Sequence, residues 1–335
     1  MNLGFWGKIN KPIIALAPMA DVTDAAFRKI IAKYGKPDVT WTEFVAADGV
    51  IMAPDDNQNK NKSGLSSKQI LLKDLEYSEE ERPVVAQLFS ANPDHMEKTA
   101  KIVQDLGFDG IDINMGCPVK VIGRQGCGAA MIKNPENAKA VIEAIKRGAP
   151  NIPVSVKTRI GYTKVEEFEG WISFLLKQEI ACLTIHWRTQ KEMSKPAAHW
   201  ELAKRAVELR DEISPETILL GNGDVKDLED SHEKIKETGI DGVMIGRGIF
   251  GNPWFFNKEV DRDKDISLEE RLKVMLEHSK LFEELLPHKT FSVMKKHYKA
   301  YVDGFSGAKE LRIALMDAKD SVEVEELIKD FLIKR

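Results

Sequence analysis

Eight short runs of apolar and β-branched residues recur through the first 257 residues, each divided from the next by a longer segment. This alternation limits the fold more than any other feature of the chain. The runs fall at 13–17, 39–43, 84–89, 110–114, 154–157, 182–186, 218–221 and 242–245. Between them, segments such as 23–34, 93–106, 135–146 and 165–177 carry helical spacing. Parallel neighbours need a long crossover, usually a helix, so strand–helix alternation implies a parallel sheet. Eight repeats over about 250 residues match an α/β fold of the (β/α)8 TIM barrel type, with an open doubly wound sheet as the competing arrangement. The segment 46–82 breaks the rhythm: it is polar in its middle (DDNQNKNKSGLSSK) and is expected to hold a helix and an exposed loop.

After residue 260 the pattern changes. DRDKDISLEE is a charged connector in which Ser267 and Glu270 have the spacing of a capping box. Beyond it only helical periodicity remains, at Leu268, Leu272, Met275 and Leu276, and later at Val322, Leu327, Ile328, Phe331 and Leu332. The expected organisation is a catalytic barrel over residues 1–257 and a C-terminal all-α helical domain over 265–335. A helical unit of about 70 residues is short of what usually folds well alone, so it should pack on the barrel.

Composition excludes several classes. The 49 Lys and Arg against 53 Asp and Glu leave a net charge of −4, which argues against a protein that coats nucleic acid wholesale but allows a local basic patch. No apolar run nears the roughly 18 residues of a membrane span, and the start MNLGFWGKIN lacks the apolar core of a secretory signal. Three cysteines (Cys117, Cys127, Cys182), odd in number and without CxxC spacing, argue against a disulfide framework or a metal site. A reducing cytoplasmic setting is the simplest expectation.

A barrel carries its chemistry at the C-terminal ends of its strands. Here those ends read Ala17-Pro18-Met19-Ala20, Gln87, Asn114-Met115-Gly116-Cys117-Pro118, Lys157-Thr158-Arg159, His186-Trp187-Arg188-Thr189, Asn222-Gly223-Asp224 and Gly246-Arg247-Gly248. Gly223 and Gly246 would let a phosphate approach the backbone, and Arg247 would add a bidentate cation. Lys157 would stabilise negative charge on an electron-rich ring; its ordinary alternative is a salt-bridged core lysine. His186 suits a phosphate or ring contact, or a structural cap on the barrel. For Cys117, spacing leaves proton donor, nucleophile and packing residue equally open, whereas Cys127 and Cys182 read as packing. Between Pro287 and Arg312, six cations (Lys289, Lys295, Lys296, Lys299, Lys309, Arg312) face two carboxylates (Asp303, Glu310), a local +4. Lys295 and Lys299 share a helix face, and Phe291, Tyr298 and Phe305 read as a buried stripe.

APMADVTDAAFR, DGIDINMGCPV, SVKTRIG, NGDV and DGVMIGRGIFGNPW resemble the dihydrouridine synthases, flavin-dependent enzymes that reduce uridine in RNA. MKKHYKAYVDGFSGAKELR resembles that family's helical RNA-binding domain, so the likeness covers nearly the whole chain. It implies bound FMN contacted by Pro18, Met19, Ala20, Gln87, Lys157 and His186, with Asn222, Gly223, Asp224, Gly246 and Arg247 holding the ribityl and phosphate groups. It further implies NADPH as a transient reductant, hydride passing from flavin N5 to uracil C6, and Cys117 protonating C5. Asn114 would position the uracil, with Arg159 beside it, and Lys295 and Lys299 would meet the RNA. The implied partner is tRNA, with ribosomal RNA as the alternative; oligomeric state is open, a monomer sufficing. Two departures from the family pattern bear on RNA access: Trp187 replaces a glycine, and the polar insert 57–73 is long. The rivals are an FMN barrel oxidoreductase acting on a free small molecule such as dihydroorotate, and a non-catalytic RNA-binding protein on the same barrel.

Overall fold

Strand alternation becomes a closed ring in the computed structural model, which describes residues 1–54 and 64–334. The strands are β1 (Ile13–Leu16), β2 (Thr40–Ala46), β3 (Val84–Phe89), β4 (Gly110–Met115), β5 (Val154–Arg159), β6 (Cys182–His186), β7 (Ile218–Asn222) and β8 (Gly242–Ile245). All pair in parallel in the order β1-β8-β7-β6-β5-β4-β3-β2. The remaining seam, between β1 and β2, is closed by a bridge from Ala15 to Val39. There Leu16 N–H donates to Val39 O at 3.0 Å and Asp38 N–H to Ile14 O at 2.9 Å. The expected barrel therefore forms, and the open sheet does not.

Side chains alternate across each strand, which sorts them into two sets. One set, including Ile14, Leu16, Ile111, Ile113, Val156, Ile185 and Val243, packs outward with the helices. The other fills the lower interior with Ile13, Ala15, Trp41, Val85, Cys182, Ile218 and Leu220, and Trp6 from the N-terminal segment joins it, 5.9 Å from Trp41 between ring centroids. The same parity aims Gln87, Asp112, Asn114, Lys157, His186 and Asn222 inward in the upper barrel. The helices start where the sequence caps them: Asp24, Asn92, Asn134 and Ser267 each accept an amide from the first turn, and Pro93 and Pro135 open two of them.

In the segment 46–82, positions 55–63 lie outside the described residues, including most of the polar run. Short helices form at Ala47–Met52 and Ser67–Lys73, the second opened by a Ser66/Gln69 capping box. Helices Leu268–Leu285, Lys295–Tyr301, Ala308–Asp317 and Ser321–Ile333 build a separate cluster around Met275, Phe282, Tyr298, Leu315 and Val324. Ala26, Ile30 and Trp254 of the barrel region join that cluster, so it docks on the first barrel helix, Ala25–Tyr34. Val322, counted in the last apolar stripe, is 63% exposed; Val324 and Ile328, four apart, occupy the buried face instead.

Two contacts carry the helical region to the top of the barrel. Lys289 Nζ pairs with Glu43 (2.6 Å) and Asp74 (3.1 Å), and Lys296 Nζ donates to Asp21 O at 2.7 Å. Glu43 also accepts the Asp21 amide, so one buried carboxylate joins the loop after β1 to the helical region. Among the described residues no helix is long and apolar enough to cross a membrane, and no group of His, Cys, Asp and Glu is placed to hold a metal ion.

Candidate active site

The strand ends frame two spaces that share a wall. The larger, about 630 Å³, is lined by Pro18, Met19, Lys157, His186, Asn222, Gly223, Asp224, Gly246 and Arg247 among others. The smaller, about 160 Å³, is lined by Gln87, Asn114, Cys117 and Arg159 together with Pro18, Lys157 and His186. Strand ends widely separated in the chain thus meet in one trough. Ala20 is the exception among the expected contacts: it is exposed and lines neither space. Lys295 and Lys299 lie outside both spaces, on the short helix Lys295–Tyr301, the first half-buried and the second exposed.

Hydrogen bonds fix the floor. Lys157 Nζ donates to Asn222 Oδ1 at 3.1 Å, and Asn222 Nδ2 donates to Met244 O at 2.7 Å. Burial first, then the Arg159 cation, pulls the Lys157 ammonium down to about 8. Burial also drives His186 well below its ordinary value, reinforced by Arg159 and Lys157, so its imidazole is neutral. Its Nε2 faces Arg188 Nη1 at 3.2 Å, which makes Nε2 the acceptor. Arg188 in turn pairs with the Asp224 carboxylate, and Arg247 stands 3.5 Å from the other Asp224 oxygen. Asp224 therefore holds two arginines at the wall of the larger space, and its own negative charge is spent on them.

A second chain of bonds runs up to the thiol. Asp112, fully buried, accepts from Ser155 Oγ (2.7 Å) and Gln87 Nε2 (2.6 Å). Gln87 Oε1 accepts from Asn114 Nδ2 at 3.0 Å, and Asn114 Oδ1 accepts the amides of Gly116 (3.1 Å) and Cys117 (2.9 Å). The carboxylate at the bottom can only accept, so it sets the donor–acceptor direction of both amides above it. Burial raises Asp112 to about 6, opposed by its two hydrogen bonds and Lys157. Arg159, 3% exposed, ties the loops together by donating to Gly116 O (2.7 Å), Thr189 O (3.0 Å) and Met193 O (2.8 Å).

Cys117 is half-buried, whereas Cys127 and Cys182 are buried. Burial pushes the Cys117 thiol above its ordinary range, against smaller pulls from the Val119 amide and the Arg159 and Lys157 cations. It is protonated at neutral pH. Trp187 is also buried: it packs with Trp200 at 5.7 Å between ring centroids, on the helix-facing side of the barrel. The expectation that this indole reshapes substrate access is corrected by strand parity, which turns residue 187 away from the trough that His186 faces.

Sequence reasoning missed Arg188 and Asp112 as site residues. Arg188 was legible as the second residue after His186 at a strand end. Asp112 carried only a parity signal, two residues before Asn114 on the same inward face.

The lining of the larger space suits a flavin mononucleotide on one observation. Lys157 spends only one of its three N–H donors on a bond among the described residues, and it faces the space. Gly223, at φ +121°, lines the same space, and a Cβ there would come within 3.2 Å of His186 and 3.1 Å of Ala198, so backbone and packing both call for glycine.

Residues 15–334 match a family profile described as dihydrouridine synthase (Dus). The chain is 41% identical over 335 residues to the probable tRNA-dihydrouridine synthase 2 of Bacillus subtilis (strain 168), covering 99% of this chain and 97% of that protein. It is 40% identical over 333 residues to a probable tRNA-dihydrouridine synthase of Staphylococcus epidermidis, with 99% and 97% covered. A structure of morphinone reductase in complex with tetrahydroNAD aligns over 75% of this chain and 87% of its own, with a TM-score of 0.49 and 12% identity.

Proposed function

The chain belongs to the dihydrouridine synthase family, and from that premise we propose that it reduces uridine to 5,6-dihydrouridine in tRNA, using FMN and NADPH. The observation that carries the reading is the position of a protonated, half-buried thiol beside Asn114, Lys157 and Arg159, in a space that shares Pro18, Lys157 and His186 with the larger one. Lys157, His186, Asn222, Gly223, Gly246 and Arg247 would hold the FMN, and Asp224 would orient Arg188 and Arg247 around its phosphate. When bound, FMN supplies a hydride for C6 of the uracil and is recharged by NADPH.

The residues of the chain do the rest. Uracil C5–C6 is conjugated with the C4 carbonyl, so hydride addition at C6 puts negative charge on C5, and Cys117 Sγ–H gives its proton there. A raised thiol pKa suits this role, since a nucleophile would need the thiolate. Asn114, its amide oriented through Gln87 by Asp112, keeps the Cys117 backbone in place. Lys157 and Arg159 place positive charge beside the reacting ring. The uridine must leave its stack to reach this depth. Residues 1–257 form the catalytic unit in this reading, and the helices of 265–335, with Lys295 and Lys299, orient the RNA.

Mass-spectrometric mapping of dihydrouridine in total RNA from cells with and without the gene tests the proposal. A dihydrouridine position in tRNA should disappear with the gene, and purified protein should show a flavin band that NADPH bleaches. An unchanged dihydrouridine map, or a colourless protein that takes up no flavin, would refute it.

A further inference from the structure

Cys117 and Pro118 also line a third space, of about 310 Å³, whose lining does not include Lys157. Lys120, Arg124, Lys133 and Tyr162 line it too, and no carboxylate does. None of these three cations is engaged by a carboxylate or carbonyl among the described residues; Lys133 lies over the Tyr162 ring, 4.4 Å from its centroid. Among the described residues, some surface cations of the acidic chain are paired, as in Arg147–Glu97, Arg205–Glu169 and Arg82–Asp109, and others stand singly on the outer helices; what sets these three apart is that they converge on one cleft. Three cations around one cleft, next to the thiol, form a local positive field that no carboxylate among the described residues neutralises. Val119, 48% exposed, lines the same space, an apolar side chain left in water beside the cations.

We propose that this cleft seats a phosphodiester of the RNA strand adjacent to the extruded uridine. The inference rests on the proposed function, because it takes the base to enter the small space between Asn114 and Cys117. That space and the basic cleft share Cys117 and Pro118 as a common wall. A strand whose base sits on one side of the wall lays its sugar–phosphate backbone over the other. Gln190 Nε2 donates to Pro118 O at 3.0 Å and keeps that wall rigid. Phosphate contacts position a strand without reading its sequence, which is what a cleft beside a reacting base needs.

The test uses the flavin-loaded full chain with Lys120→Gln, Arg124→Gln and Lys133→Gln combined, and an unmodified tRNA transcript as probe. A control with Lys98→Gln, Lys101→Gln and Lys204→Gln changes the net charge equally on exposed outer helices. The cleft variant should lose RNA affinity by about tenfold or more, and its log–log salt slope should flatten by about 2, at roughly 0.7 per cation for single strands. The control should keep the slope, and both proteins should retain flavin absorbance and its bleaching by NADPH. A cleft variant that binds tRNA like the control, with the same slope, overturns the proposal. So does a variant with unchanged RNA binding but a raised KM for NADPH, which would assign the cleft to the reductant's phosphates. If wild-type protein binds tRNA but never forms dihydrouridine, the proposed function fails, while the slope comparison still decides the cleft.

Discussion

In the lower half of the barrel the inward side chains are Ile13, Ala15, Trp41, Val85, Cys182, Ile218 and Leu220, with Trp6 beneath them. In the upper half of the same strands they are Gln87, Asp112, Asn114, Lys157, His186 and Asn222. The lower layer removes apolar surface from water and needs no partners. The upper layer holds polar groups in a desolvated place, where each must be bonded or shifted toward its neutral form. Lys157 falls to about 8 and Asp112 rises to about 6. One layer stabilises the barrel, and the other uses part of that stability to keep reactive groups poised.

Substitutions in each layer should separate the two roles. The largest expected effect is on chemistry: Cys117→Ala should lower dihydrouridine formation by about 10²–10⁴-fold while the protein keeps its flavin and its reduction by NADPH. Mass spectrometry of the RNA and flavin absorbance read the two halves of that outcome, and undiminished product would remove Cys117 from the role of acid. In the lower layer, Trp6→Ala should cost about 3–5 kcal/mol of stability in urea unfolding, with turnover per folded molecule unchanged.

Asp112→Asn crosses the two layers. The folded Asp112 pKa, about 6, lies above its ordinary 3.8, so between those values the folded protein binds more protons than the unfolded chain. Stability from this group is therefore present at low pH and is lost as pH rises through the window, by up to about 1.4 kcal/mol per pH unit. The variant should flatten the stability profile between those pH values. It should also free the Gln87 amide to turn over, lowering kcat by about tenfold, as expected for one lost hydrogen bond of about 1–1.5 kcal/mol. An unchanged pH profile and kcat would make the bond chain incidental. The smallest effect belongs to the helical region: Lys295→Glu with Lys299→Glu should weaken tRNA binding and flatten its salt dependence without altering flavin content. RNA binding at wild-type strength would remove these lysines from the interface.

Much of this was legible in the chain. The eight runs anticipated every strand, with β2 reaching three residues further, to Ala46, past a register shift between Trp41 and Phe44. Strands of this kind announce themselves because both faces are buried, which concentrates Val, Ile and Leu in short blocks. The strand ends converge because a closed parallel barrel places every C-terminal end on one face. Less legible were the side chains whose surroundings come from other strands. Trp187 looked like an obstacle to substrate until its packing against Trp200 placed it outside the trough. Of the six basic residues between Pro287 and Arg312, Lys289 and Lys296 turned out to latch the helical region to the barrel.

The sequence by itself determined the alternation, the parity of each strand and the set of reactive groups at one rim, since all three depend on local spacing. Which groups carry charge, and which cations stay free, was decided only in three dimensions. Arg159 is bound by carbonyls from two different loops, Asp224 neutralises Arg188 across the rim, and Lys120, Arg124 and Lys133 meet no carboxylate among the described residues. Desolvation and charge pairing act through space over a few ångströms, and barrel closure brings together residues that no local pattern connects.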